Sequence, residues 1–183
     1  MDSFTKKVLI ALGIYAIFAV IILILFQTIF MFSLILSSNM EHTIAENSIV
    51  FSTRYDVKED DIERFDILVF ILPDNPDITY IKRVIDLPDE SIEVSKGKVY
   101  ADGVELDSSS ISEAQNQGGD GIYKVPEGCY FFLGDNQNNS DNSRFWTKPY
   151  IFAKDIQAKA KFVIYPFSSM LFGLKNLRER SAV

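Results

Sequence analysis

Lys82 lies within Tyr80-Ile-Lys-Arg-Val-Ile-Asp-Leu-Pro-Asp, an apolar stretch rich in β-branched residues. A lysine ammonium drawn out of water loses solvation, so its pKa falls and the neutral amine becomes available as a general base. Upstream, where a partner nucleophile would be sought, the chain reads Ser37-Ser-Asn-Met-Glu-His-Thr-Ile, and Asn39 occupies the slot directly before Met40. A bland reading stands beside the chemical one, in which Lys82 is a surface lysine on an edge strand. His42 is the sole histidine, so an interfacial residue is favoured over a base or metal ligand. Cys129 is the sole cysteine, which excludes an intramolecular disulfide and a cysteine-based zinc site. No metal or other cofactor is implied.

These residues need elements to position them. Residues 8–36 carry no charged side chain and exceed the ~20 residues needed to cross a bilayer core. A cleaved secretory signal has a shorter apolar region, so this stretch reads as a single-pass membrane anchor. Lys6 and Lys7 precede it, whereas Glu41 and Glu59-Asp60-Asp61 follow. That asymmetry predicts a cytoplasmic N-terminus over residues 1–7 and an extracytoplasmic domain over residues 37–183. The span is longer than necessary, and its last part, Met31 to Leu36, could tilt, reach the interface or begin a strand. Any chemistry at residues 37–44 would then occur close to the membrane. The formal charge of −7 argues against nucleic acid as a partner.

The remaining chain alternates short apolar runs with turn residues, the pattern of a mainly β domain. Strands are expected at Ser48–Tyr55, Asp66–Leu72, Ile78–Ile85, Ser91–Ser95, Lys98–Ala101, Tyr130–Leu133 and Lys159–Tyr165, with tight turns at Lys96-Gly97 and Asp102-Gly103. Pro73-Asp-Asn-Pro-Asp is expected to bound the second strand. Asp107 to Gly121 reads as an exposed loop; Leu174 to Arg180 could form a short helix, though nothing in the sequence demands it.

In this order, the motifs resemble those of bacterial type I signal peptidases, the Ser/Lys-type leader peptidases. Ser37-Ser-Asn-Met-Glu-His-Thr-Ile resembles that family's Ser-x-Ser-Met-x-Pro-Thr-Leu run at Ser37, Met40 and Thr43. Phe65-Asp-Ile-Leu-Val-Phe resembles its Gly-Asp-Ile-Val-Val-Phe strand. Tyr80 to Glu93 resembles its lysine box, and Val125 to Trp146 its Gly-Asp-Asn box. Ala158 to Phe167 resembles its closing strand. The resemblance implies coiled antiparallel β-sheets behind one transmembrane helix, and an extended signal-peptide segment of an exported precursor as substrate. It implies Lys82 as general base, Ser37 as an oxyanion-hole hydroxyl, and Ser140 as the residue orienting the lysine. Asp135, Asn142 and Arg144 fall at positions that support the site.

The departures bear on mechanism. The resemblance puts the catalytic serine at position 39, and an amide cannot form an activated alkoxide. The Asn39 oxygen could accept a hydrogen bond from Lys82, which would favour the ammonium. Ser38 is a rescue nucleophile only through a register shift, which in an extended segment turns the side chain to the other face. His42 stands for the family's proline, Asp86 and Asp89 for two glycines, and Asn142 for an aspartate paired with Arg144, a partnership Asp141 could assume. Two readings follow: a peptidase acting on signal peptides, or a noncatalytic binding or assembly factor for exported or pilus-type surface proteins.

Overall fold

The computed structural model describes residues 2–41, 43–106, 119–136 and 141–165. His42, Ser140, most of the loop expected after Asp107 and the segment Leu174 to Arg180 lie outside the described residues. Helix α1 (Ser3–Ile29) is capped by the Asp2 carboxylate, which accepts from the Thr5 N–H at 3.0 Å. It is long and apolar enough to cross a membrane, and none of its residues is buried against the rest of the described protein. The helix ends before the apolar run does. Strand β1 (Phe30–Leu34) follows without a linker, which is the strand alternative left open by the sequence. Phe51 fixes this junction: its ring centroid lies 5.2 Å from Phe30, 5.4 Å from Phe32 and 4.7 Å from Phe162.

The remaining strands are β2 (Ile49–Thr53), β3 (Ile67–Leu72), β4 (Asn75–Asp86), β5 (Ser91–Ser95), β6 (Lys98–Ala101), β7 (Val104–Glu105), β8 (Gly121–Lys124), β9 (Cys129–Leu133), β10 (Ile151–Phe152) and β11 (Ile156–Tyr165). A seven-stranded sheet has the order β1-β2-β11-β3-β4-β9-β10, and a four-stranded sheet the order β7-β6-β5-β8. All pairings are antiparallel. Both expected turns are present: Lys96 and Gly97 have φ of 51° and 81°, and Asp102 and Gly103 of 47° and 81°, consecutive positive values that suit tight hairpins. Strand β4 starts earlier than expected, at Asn75. Pro76 is accommodated because β4 reaches β9 only from Arg83 onward, leaving an open edge that needs no N–H from proline.

Alternation along β3 and β4 divides the core into layers. Ile67, Val69 and Ile81 join Ile35, Met40 and Ile44 on one face of the sheet. Leu68, Phe70 and Val84 join Tyr130, Phe132 and Ile156 on the other, with Tyr80 and Trp146 packed against them. Ile85, Phe131 and Leu133 meet Ile92 and Val99, connecting the two sheets.

Two cations sit at the middle of this arrangement, since Lys82 and Arg83 are both fully buried. Arg83 is matched by Asp135, with Nε donating to Oδ1 at 2.8 Å and NH2 to Oδ2 at 2.5 Å. Removing one side of a buried pair leaves the other charge without compensation. Asp135→Ala is therefore expected to cost about 3–5 kcal/mol in chemical denaturation, with Arg83→Ala costing a similar amount. A loss below about 1 kcal/mol would mean that Arg83 finds water or another acceptor.

Candidate active site

Lys82 pairs in register with Leu68 on β3, so strand alternation turns it to the face of Tyr80 and Val84. Burial pulls its pKa down to about 8, against the opposing pull of the Asp141 and Asp135 carboxylates. A value near 8 leaves roughly a tenth of the side chain neutral at pH 7.

The segment that carries Asn39 is folded into turns, contrary to the extended course expected for it. The Glu41 N–H donates to the Ser38 carbonyl at 3.0 Å, and the Ile44 N–H to the Met40 carbonyl at 2.7 Å. Met40 and Ile44 anchor the segment in the core. Its outer part is held by Asn136, whose side-chain Nδ2 donates to the Ser38 carbonyl and whose backbone N–H donates to the Asn39 carbonyl, both at 3.1 Å. Arg83 adds a hydrogen bond from NH2 to the Thr43 hydroxyl at 3.3 Å and one from NH1 to the Phe65 carbonyl at 3.0 Å. Arg83 was not among the residues singled out in the sequence, and Asn136 figured there only as part of a turn that could be a plain strand connection. The signal for Asn136 was the Gly134-Asp135-Asn136 turn, whose reach across the chain is visible only in three dimensions.

These restraints open a groove of about 470 Å³, lined on one side by residues 34–37 and Asn39 and on the other by residues 77–82. It brings together Ser37, Asn39 and Lys82. Ser38 is half-buried and does not belong to the lining. The β4 wall is a strand edge, because its pairing with β9 begins at Arg83.

Behind Lys82, Ser143 ties the turn after residue 140 to β9: its hydroxyl accepts from the Phe132 N–H at 2.9 Å, and its own N–H donates to the Phe132 carbonyl at 3.1 Å. Asn142 serves Arg144 directly, its Oδ1 accepting from the Arg144 backbone N–H and Nε, both at 3.1 Å. Asp141 does not take over that partnership. It is exposed, and its carboxylate acts electrostatically on Lys82. Asp86, at a position where the resemblance expects glycine, is buried and bonded to Arg64 NH1 at 2.9 Å, while Arg64 NH2 binds Glu90 at 2.6 Å. Burial and the neighbouring Glu90 push Asp86 up to about 7.

The geometry defines a class: an antiparallel β domain continuous with an apolar helix, in which a buried lysine lines a groove bounded by an open strand edge. Comparison with known proteins makes that class specific. The family described as "Signal peptidase, peptidase S26" matches residues 6–165, and the chain belongs to it. Among its relatives is a probable signal peptidase I-2 of Synechocystis, 38% identical over 115 residues, covering 60% of this chain and 52% of the relative. The signal peptidase I S of Bacillus subtilis is 34% identical over 124 residues, covering 60% of this chain and 63% of the relative. The chain thus matches little more than half the length of these two relatives. A crystal structure of a signal peptidase I from Enterococcus faecalis is 32% identical, with a TM-score of 0.45, covering 54% of this chain and 95% of that one.

The lowered pKa of Lys82 links stability to pH. Between about 8 and 10.5 the unfolded chain binds more protons at this site than the folded chain does. Stability is therefore expected to rise with pH across that window, the cost of burying the ammonium being full below it and absent above it. Urea denaturation at pH 7.5 and pH 9.5 checks this, and Lys82→Met should flatten the difference. An equal pH dependence in the variant would assign it to other groups.

Proposed function

We propose that this protein engages the C-terminal part of signal peptides on exported precursors, at the membrane surface, and that Asn39 leaves it binding without cutting. The observation that carries the reading is the groove that joins Lys82 and Asn39 along the free edge of β4. An extended polypeptide can add to such an edge through backbone hydrogen bonds, with alternate side chains entering the groove. Helix α1 serves as the anchor, Lys6 and Lys7 favour a cytoplasmic N-terminus, and residues 37–183 form the extracytoplasmic domain.

Peptidase chemistry in this family's manner requires a hydroxyl beside a neutral lysine. Lys82 is suited to the base role, and Ser37 lines the groove where an oxyanion donor is needed. In Asn39→Ser, Lys82 would accept the hydroxyl proton as oxygen adds to the scissile carbonyl, then return a proton to the departing amine. Water would hydrolyse the resulting ester by the same base. The Asn39 amide nitrogen, its lone pair delocalised into the carbonyl, offers no equivalent attack.

Cleavage of a secretory precursor in liposomes tests this. The unmodified protein should bind the precursor without turnover. Asn39→Ser should raise cleavage on the order of 100-fold or more above background, and adding Lys82→Ala should abolish the gain. Its kcat/KM should rise with pH through an apparent pKa of about 8 as Lys82 becomes neutral. Ser38→Ala should change neither binding nor the activity of Asn39→Ser. Turnover by the unmodified protein that disappears in Ser38→Ala would overturn the assignment of position 39.

A further inference from the structure

The junction between the two sheets is built around a pair of carboxyl groups that the groove does not use. Asp86 is the last residue of β4, its side chain is fully buried, and Glu90 ends the turn that leads into β5. Arg64 reaches both from the approach to β3: NH1 binds Asp86 Oδ1 at 2.9 Å and NH2 binds Glu90 Oε1 at 2.6 Å, while NH1 also donates to the Ile85 carbonyl. Backbone bonds hold the other side of the turn, the Val125 N–H donating to the Glu90 carbonyl at 2.9 Å and the Asp89 N–H to the Val125 carbonyl at 3.1 Å. Phe65 follows Arg64, and its carbonyl accepts from Arg83 at 3.0 Å, so the junction adjoins the guanidinium that also binds Thr43 near the Asn39 turn.

The four carboxyl oxygens are not equally served. Both Glu90 oxygens accept, Oε1 from Arg64 and Oε2 from the Leu87 N–H at 2.7 Å. Asp86 Oδ1 accepts from Arg64, but Oδ2 is buried with no hydrogen-bond partner among the described residues. The two side chains lie within hydrogen-bonding reach of each other, so one guanidinium serves two acids in contact. If both were ionised they would repel, and a buried charge would lack a donor. A proton on Asp86 Oδ2, donated to Glu90, removes both penalties. On Glu90 the proton would compete with a bond already formed.

The electrostatics agree with that placement. Burial, then Glu90, pushes Asp86 up to about 7. Burial would raise Glu90 too, but hydrogen bonds from Asp86 and the Leu87 N–H, together with Arg64, hold it below its ordinary value. The other titratable groups around Asp86 with a shifted pKa lie higher. Tyr150, which senses the Asp86 charge, is pushed up by burial, as are Cys129 and Tyr130 on the adjacent β9, where Phe131 pairs with Asp86. Lys82, four residues back on β4, stands at about 8.

We propose that Asp86 and Glu90 hold one proton between them and form a pH-sensitive latch on the junction of the two sheets, closed while the proton is present and loosened once it leaves. The folded chain then binds more protons here than the unfolded chain between about 3.8 and 7, so the latch weakens as pH rises through that window.

The test uses the full chain in detergent micelles at pH 5.5 and pH 8.5. Asp86→Asn mimics the protonated pair, since its amide nitrogen can donate to Glu90 while its oxygen accepts from Arg64. In the infrared difference between the unmodified protein and this variant, the C=O stretch of a protonated carboxylic acid should be present at pH 5.5 and absent at pH 8.5. Amide hydrogen exchange at Leu87 to Ser91, taken relative to the variant at each pH, should be equal at pH 5.5 and on the order of tenfold faster in the unmodified protein at pH 8.5. Amides of β2 in the unmodified protein give the same comparison without any variant. An exchange ratio that does not change with pH, or no protonated carboxyl band at pH 5.5, would overturn the latch. A band that survives Asp86→Asn and disappears in Glu90→Gln would put the proton on Glu90 and overturn it as well.

Discussion

Two adjacent buried cations set the terms for this fold. Strand alternation sends Lys82 and Arg83 to opposite faces of β4, and the protein treats them differently. Arg83 is compensated by a bidentate carboxylate, a carbonyl and a hydroxyl, contributed by Asp135, Phe65 and Thr43. It thereby joins β4 to the turn after β9, the approach to β3 and the segment carrying Asn39. A buried ion pair is a poor source of net stability when compared with packed apolar residues. Its contribution here is positional, because the donors of a planar guanidinium fix the relative placement of the segments it binds. Lys82 is left differently poised: burial outweighs the carboxylates around it, and its proton is held loosely. The same closure of the sheet secures one cation and makes the other chemically adaptable.

The positions where the resemblance expects glycine show how local strain is accommodated. Phe65 and Asp89 occupy positions expected to hold glycine, and both have positive φ, at 70° and 67°. The left-handed region costs an ordinary L-residue roughly 1–2 kcal/mol. At Phe65 the surrounding contacts hold the conformation: its N–H donates to the Val84 carbonyl at 2.8 Å, its carbonyl accepts from Arg83, and its ring packs against the layer connecting the sheets. Asp89 is an exposed aspartate, a residue type that tolerates this region better than most. Asp86 has a different solution, because its backbone is not left-handed and the difficulty lies in its side chain. Arg64 bridges Asp86 and Glu90 and so offsets the burial of the carboxylate.

Sequence resolves what local chemistry determines. Lys96-Gly97 and Asp102-Gly103 announce tight turns because few residues tolerate positive φ, and apolar alternation reveals the strands. The boundary between Ile29 and Phe30 is not legible in the same way. Helix α1 and β1 belong to one uncharged apolar run, and Phe51, itself stacked on Phe162, packs from a distant strand at the point where one becomes the other. The motif containing Lys82 marked the site, but burial on both sides of β4 had to be seen in three dimensions. Asn136 is harder still to recognise, since its contribution is a pair of hydrogen bonds to backbone atoms 97 and 98 residues earlier, at Asn39 and Ser38. The role of Asp141 depends similarly on space: proximity in sequence suggested Arg144 as its partner, whereas the turn brings Asn142 to Arg144.

Those backbone contacts also separate the shape of the site from the chemistry at position 39. The turn is closed by the Ser38 carbonyl and the Glu41 N–H, anchored inward by Met40 and clamped outward by Asn136. None of these restraints requires a particular side chain on residue 39. A change of side chain at residue 39 leaves these backbone contacts in place, whereas a change at Asp135 or Asn136 acts on the groove itself. The shape of the groove is held by β4 and the backbone of the turn, while the chemistry available there depends on the side chain that residue 39 presents. With shape and chemistry carried by different atoms, a substitution at residue 39 can change what the site does to a bound chain without remaking the groove that would hold it.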